Sequence, residues 1–538
     1  MQIPTLKKQG NKMVLMVNGQ PFVALAGEIH NSDYTSIKYM EGVYEIADKL
    51  GMNTLLIPMS WDIVEPEEGK FDFSLAQKLI LQARRWNKKL VFLWFGSWKN
   101  AECMYAPSWV KSELNRFKRA QIQKGENKAL RQISPSIPYK MPYTSISYLC
   151  EEAMKADAKA FARFMGFIKE FDENESTVIA VQVENETGLL GAAREVSDEA
   201  DIAFAESVPS GLIAYLKAHT VTMAEDVKKA VEEGPSEGSW SQVFGEVAEE
   251  MFSAYYVSRY VNYVAKAGKD IYPLPMSVNC WLDKGDVPGS YPTGGPVPRV
   301  HEVWDYMAPS IDVYCPDIYV PNFAEICDNF AKGDNPLFIP ESATHSYAAP
   351  RMVYTVGHHH AICYAPFGFD DIGKPFSAIQ GFLFGMDVTD PALQTPQNFE
   401  EYGLTGKYMQ ALLPVIGKKL GSNELKAAIG EVADQGLLSM TELDVYAGFK
   451  SQLQPRSDGY VLAVQAAEGE LYILGNAASI SLASNNPKLK NFDLTLCEEM
   501  LIGEDNQLEV GRRFNGDETT RMGFDAPGLL HLKYFLYE

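Results

Sequence analysis

Over the first two thirds of the chain, short apolar blocks alternate with longer stretches of helical spacing. Met13–Val17 and Pro21–Ala26 flank Asn18-Gly19, a dipeptide that favours a two-residue hairpin turn. The second arm runs on into Gly27-Glu28-Ile29-His30-Asn31, a polar strand end. A helical pattern over about 39–50 stops at Gly51, which suits a C-terminal cap. Apolar strand-like blocks recur at 53–58, 89–95, 178–183, 273–279, 311–319, 336–340 and 361–367. Helical patterns lie between them, at about 74–88, 151–172 and, in an acidic stretch, 190–268. A long insertion over about 103–147 precedes the fourth strand. Counting from the second hairpin arm gives eight strand–helix steps. Such alternation signals a parallel α/β fold, and eight steps fit a closed (β/α)8 TIM barrel. From residue 425 the pattern changes to short strands such as 459–464, 470–474 and 529–536, separated by Gly, Asn and Asp. This predicts a smaller antiparallel, β-sandwich-like domain. The expected division is a barrel over 1–424, with its hairpin and helical insertions, and an all-β domain over 425–538.

The fourth block carries the strongest chemical signal. Val178-Ile179-Ala180-Val181-Gln182-Val183 reads as a buried parallel strand, and Glu184-Asn185-Glu186-Thr187-Gly188 follows at its end. Chemistry collects where barrel strands leave the core. The other strand ends are decorated too: Glu28 and Asn31, Trp61 and Glu65, Trp98, Lys99 and Asn100, Asn279 and Trp281, Asp317 and Tyr319, then Glu341. Carboxylates, amides and indoles converging at one mouth suit a neutral polyol. Polar groups match its hydroxyls and an aromatic face matches its ring. Trp94, Trp98 and Trp281 are candidates for that face. Glu186 and Glu341 are the expected catalytic pair, because glycoside cleavage needs two carboxyl groups. One protonates the leaving oxygen, which requires a raised pKa, and the other stabilises or attacks the anomeric carbon. Glu184, two residues from Glu186, reads as a supporting or salt-bridged residue.

Composition narrows the partners. The net charge of −22 disfavours nucleic acid and anionic lipid. Seven cysteines are scattered without a CxxC pair, so no zinc or redox motif emerges, and Cys280, Cys315 and Cys363 read as buried thiols. His358-His359-His360 reads as a polar turn before the eighth strand, since three successive side chains point apart on a helix or strand. No metal and no cofactor are predicted. The chain has no apolar run of membrane-spanning length, and Met1-Gln2-Ile3-Pro4 does not open a signal peptide. The expected compartment is the periplasm or the exterior, as a mature form, with the cytoplasm as the alternative.

Several motifs together resemble glycoside hydrolase family 35, the β-galactosidases. They are Gly27-Glu28-Ile29-His30, Trp61 with Glu65-Pro66-Glu67-Glu68-Gly69-Lys70-Phe71-Asp72-Phe73, Ala106-Pro107-Ser108-Trp109, and Gln182-Val183-Glu184-Asn185-Glu186. The resemblance spans about 20–190, is looser to about 420, and extends to a bacterial branch with a small C-terminal β-domain. It implies a retaining glycosidase with Glu186 as general acid/base, Glu341 as nucleophile, Asn185 on the sugar 2-hydroxyl and Tyr319 hydrogen-bonded to the nucleophile. The chain departs from the family pattern at Asn31, at Trp94-Phe95-Gly96-Ser97-Trp98 and at Thr187. Those positions surround the sugar pocket, so β-glucoside or α-L-arabinoside specificity, or a non-catalytic carbohydrate-binding barrel, stays open.

Overall fold

The computed structural model describes residues 2–127, 129–132, 140–283, 285–377, 381, 391–451, 454–455, 457–520 and 522–538. Strands β1 (Thr5–Gln9), β2 (Lys12–Val17) and β3 (Gln20–Phe22) form a small antiparallel sheet at the N-terminus. Asn18 and Gly19 both have positive φ, 52° and 78°, as the tight turn between β2 and β3 requires. The second hairpin arm is divided rather than continuous. Its first half is β3, on the sheet edge, where Pro21 has no N–H to waste. Its second half, β4 (Ala24–Glu28), is the first barrel strand.

The remaining barrel strands are β5 (Thr54–Ser60), β6 (Lys89–Phe95), β7 (Val178–Val183), β8 (Met276–Trp281), β9 (Val313–Ile318), β10 (Phe338–Ile339), β11 (Glu341–Ser342) and β12 (Cys363–Tyr364). Their hydrogen-bonded order is β10-β12-β4-β5-β6-β7-β8-β9-β11. The pairs β4–β5, β6–β7, β7–β8, β8–β9, β12–β4 and β10–β12 are parallel. β10 and β11 are one run of chain divided at Pro340, whose ring and missing N–H interrupt the ladder. They stand at opposite ends of the strand order, so nine segments make eight steps of a nearly closed parallel barrel. The expected α/β class and eight-step count are correct. Apolar residues on both faces of β7 follow from burial on both sides.

The chain packs as two compact units. One comprises residues 57–85 and 90–317. In it, helix Glu151–Asp172 lies against helix Ala248–Lys269. A Cβ on Gly268 would come within 2.4 Å of the Phe161 ring, so only glycine permits this approach. The acidic stretch at 190–268 is broken into five α-helices rather than one long run. The insertion at 103–147 holds the short helix Ser108–Ser112 and a strand pair, Ala129–Gln132 with Lys140–Tyr143. Residues 128 and 133–139 of that expected segment lie outside the described residues.

The other unit comprises residues 2–56, 86–89 and 318–538. Its long helix Phe399–Lys419 is followed at Leu425 by antiparallel strands. They form a six-stranded and a four-stranded sheet. Leu425–Ile429 and Leu443–Gly448 alternate buried and less buried residues, the period-two pattern of a sheet covered on one face. Val445, Phe449, Val461, Ile473 and Leu532 share the core of these sheets. The three histidines are not a polar turn. Thr355–His359 forms a π-helical turn in which His359 is buried, and His360 follows at φ 60° with its Nδ1 accepting from the Gly421 N–H. Tyr354 packs against both rings, with His359 turned inward and His358 left exposed. All seven cysteines are buried and stand outside any disulfide. Among the described residues, no helix is long and apolar enough to cross a membrane.

Candidate active site

The chain leaves β7 through a strained loop. Glu184 and Glu186 both adopt left-handed backbone, at φ 63° and 46°. For residues with a Cβ this costs on the order of 1–3 kcal/mol each, so the surroundings must hold it. Hydrogen bonds supply the hold. The Trp98 N–H donates to Glu184 Oε2 at 2.8 Å, the Asn185 N–H to the Trp98 carbonyl at 3.2 Å, and the Ala101 N–H to the Glu186 carbonyl at 3.0 Å. The Glu186 N–H donates to Asn279 Oδ1 at 3.0 Å, and Asn279 Nδ2 donates to Asp317 Oδ2 at 2.7 Å. The ends of β6, β7, β8 and β9 are thereby joined. Asn185 is wholly buried, yet neither its Oδ1 nor its Nδ2 has a partner among the described residues. The same holds for the buried Trp98 Nε1. Buried polar groups are ordinarily satisfied, so the open Asn185 amide and the open Trp98 N–H are each candidates for a polar ligand.

Among the described residues Glu184 makes no salt bridge. It is fully buried and shares a hydrogen bond with the equally buried Asp157. Asp157 accepts from Trp94 Nε1 at 2.9 Å and from both the N–H and Oγ of Ser97, at 2.9 and 2.6 Å. Burial raises the Asp157 pKa and pushes Glu184 well above the carboxylate range, with Asp157's charge second for Glu184. Two carboxyls in one dry site hold a proton between them. Gly96 makes room, since a Cβ there would meet the Asp157 oxygens at 2.7 Å. Sequence reasoning missed Asp157. Its signal was a lone acid at a buried position of the helix Glu151–Asp172, between Met154 and Phe161.

In the second unit, Glu341 begins β11 and is 5% exposed. The Tyr319 hydroxyl, just past β9, donates to Glu341 Oε2 at 2.6 Å. Glu28 closes β4 and is fully buried, with its backbone carbonyl accepting from the Gly368 N–H. Asn31 follows, partly exposed, with Oδ1 lacking a partner among the described residues. His30 Nε2 lies 3.0 Å from Asp371 Oδ2 and 3.8 Å from Asp370 Oδ1. Burial, then the nearby Asp370 charge, raises the Asp33 pKa to about 6.

The tryptophans separate into two kinds. Trp94 is core, packed against Phe161 and Phe164 with its Nε1 on Asp157, and is no sugar platform. Trp61 is fully buried, donates to Glu65 Oε2 at 2.9 Å and meets Trp109 edge-on. Glu65 also accepts the Gly69 N–H at 2.7 Å, so it holds its own loop. Trp98 is 1% exposed with its ring against Tyr260, and only its N–H is left to offer. Trp281, ending β8, is partly exposed and packs against the Ala101–Leu190 cluster. Asn100 is also partly exposed, at φ 54°, with Oδ1 lacking a partner among the described residues.

The model of the glycosyl hydrolases family 35 matches residues 14–123, and that of a domain of unknown function, DUF5597, matches residues 406–524. A β-galactosidase of Xanthomonas manihotis is 37% identical over 71 residues, which is 13% of this chain and 11% of that protein. The chain thus matches about a tenth of this curated relative. Among solved structures, the β-galactosidase of the psychrophilic Marinomonas ef1 aligns at TM-score 0.46 and 12% identity, over 73% of this chain and 60% of its own. The exo-β-1,4-mannosidase Op5Man5 of Opitutaceae bacterium strain TAV5 aligns at 0.43 and 13%, over 76% and 62%. The family match includes the Glu28, Trp61 and Trp109 motifs and ends before Glu186 and Glu341. The family 35 match over residues 14–123 thus falls on the stretch whose motifs led us to expect it.

Proposed function

We propose that the chain is a retaining, exo-acting glycoside hydrolase that releases terminal β-linked galactose from oligo- or polysaccharides. The observation that carries this reading is the strained Glu184-Asn185-Glu186 loop, in which a buried Asn185 amide with no partner among the described residues adjoins the carboxyl-bearing Glu186 in sequence. A sugar 2-hydroxyl satisfies such an amide. The family match over 14–123 and the Tyr319–Glu341 hydrogen bond support the same reading.

In this reading Glu186 protonates the glycosidic oxygen while Glu341 attacks the anomeric carbon, giving a covalent glycosyl-enzyme and the free aglycone. Water then attacks that carbon, Glu186 takes its proton, and Glu341 leaves. The two carboxyls must stand about 5–5.5 Å apart, since no water fits between nucleophile and sugar in the first step. Tyr319 holds the nucleophile, and Glu28, Asn31, Trp61, Trp98, Asn100 and Trp281 contribute to the sugar pocket. The catalytic barrel runs to about 424 and the β-domain from 425, and substrate is met outside the cytoplasm.

The test is a panel of nitrophenyl β-galactoside, β-glucoside and α-L-arabinoside with wild type and Glu341→Gln. Galactoside release lost in the variant supports the reading. Preference for another sugar overturns the specificity alone, equal release by both proteins overturns Glu341, and no release from any substrate leaves a carbohydrate-binding barrel.

A further inference from the structure

We propose that Asp328, His358 and His359 form a binding site for one divalent transition-metal ion of the zinc type. Asp328 comes from helix Phe323–Phe330, and both histidines from the π-helical turn Thr355–His359. One ligand atom of each lies within 4.8 Å of the other two. His359 is 5% exposed, and its Nε2 has no hydrogen-bond partner among the described residues. That nitrogen lies 3.9 Å from Asp328 Oδ1. A buried ring nitrogen left open toward a carboxylate, with a second imidazole beside it, is the arrangement a soft-to-borderline cation completes.

The objection that successive histidines diverge holds for an α-helix or a strand. The wider π turn relaxes it, and such turns are frequent at functional positions. Here the two rings lie 4.8 Å apart, crossed at 75°. Tyr354 fixes both, stacked on His358 at 4.7 Å and edge-on to His359 at 5.3 Å. His358 also bonds the Ala427 backbone, which orients its ring as an outer partner does for a metal ligand. Asp328 and His358 are exposed, which gives an ion an entry path.

Neighbouring donors of a tetrahedral zinc ion stand about 3.3 Å apart at the usual bond lengths. The 3.9 Å between His359 Nε2 and Asp328 Oδ1 therefore closes with a small torsion of the exposed aspartate. Two imidazoles and one carboxylate favour zinc, nickel or copper over calcium or magnesium. Lys12 opposes the ion, since its charge lowers the His359 pKa and is itself drawn to Asp328. The site is independent of the sugar chemistry, because no residue in it belongs to the proposed catalytic set.

The test uses the untagged full chain, titrated with zinc by calorimetry and with cobalt by visible absorption. The expected result is one ion per chain, a tetrahedral cobalt spectrum, and a Tm raised by zinc and returned by EDTA. Asp328→Asn and His358→Ala, both at exposed positions, weaken binding by about tenfold or more while circular dichroism stays unchanged. Absence of saturable binding at one ion per wild-type chain, or binding unchanged in both variants, overturns the proposal.

Discussion

The Tyr319 hydroxyl donates to Glu341 Oε2 across 2.6 Å, and the carboxylate it serves is 95% withdrawn from solvent. A hydrogen bond of this kind to a carboxylate fixes where its oxygen points. Tyr319→Phe removes the donor and keeps the ring. We expect kcat/KM on nitrophenyl galactoside to fall about a hundredfold, the scale of losing one preorganised donor, with Tm nearly unchanged. An unchanged kcat/KM would remove Tyr319 from the machinery.

Glu186 and Glu341 have different expected signatures. If Glu186 is the acid, Glu186→Gln harms poor leaving groups most. A dinitrophenyl glycoside, whose aglycone needs no proton, should keep its first step far better than an alkyl glycoside. If Glu341 is the nucleophile, a 2-deoxy-2-fluoro galactosyl donor should add one sugar mass to the Glu341 peptide in wild type. Mass spectrometry finding the label on Glu186 would exchange the two roles.

The barrel was legible because its signal is periodic. Eight apolar blocks, each ending in polar residues, needed only counting, and the Glu184-Asn185-Glu186 cluster marks its strand end without any structure. Long-range pairing is not periodic. Asp157 precedes Glu184 by a helix turn-back and meets it only in the fold, so nothing in either local pattern predicts that they share a proton. The reading of Trp94 as a sugar platform failed for a related reason. Trp94 and Trp98 stand four residues apart in one motif, but the pleat and the following bend send the first into the core and leave the second an open N–H. The histidine turn was misread because a π-helix has no sequence period distinct from a loop.

The Asp157–Glu184 pair sets a pH limit on stability. Burial raises both pKa values, so the folded state binds more protons than the unfolded chain above the ordinary carboxylate range near pH 4. Stability from this pair is thus fully present below that range and declines as pH rises toward the raised values. Glu184→Gln keeps an acceptor for the Trp98 N–H and removes one titration. Its Tm should fall less than that of wild type as pH rises above the ordinary carboxylate range. Glu184→Ala leaves the buried Trp98 N–H without its acceptor, and should cost about 1–3 kcal/mol in chemical denaturation at pH 7. Parallel Tm–pH curves for wild type and Glu184→Gln would show that the pair does not titrate as a unit.

Asp33 gives a second, separable titration near the end of β4. Its pKa of about 6 arises first from burial and then from the Asp370 charge, against a lesser opposing pull from His30. Being raised, it also takes stability away as pH climbs, here through about pH 6. Asp33→Asn removes the ionisation, so the decline in Tm between pH 5 and 7 should flatten. Asp370→Asn should act in the same direction by a different route, since it removes a charge that raises the Asp33 pKa and so lowers it. Thermal melts of both variants across that interval check this. A wild-type decline that survives in Asp33→Asn would place the titrating group elsewhere.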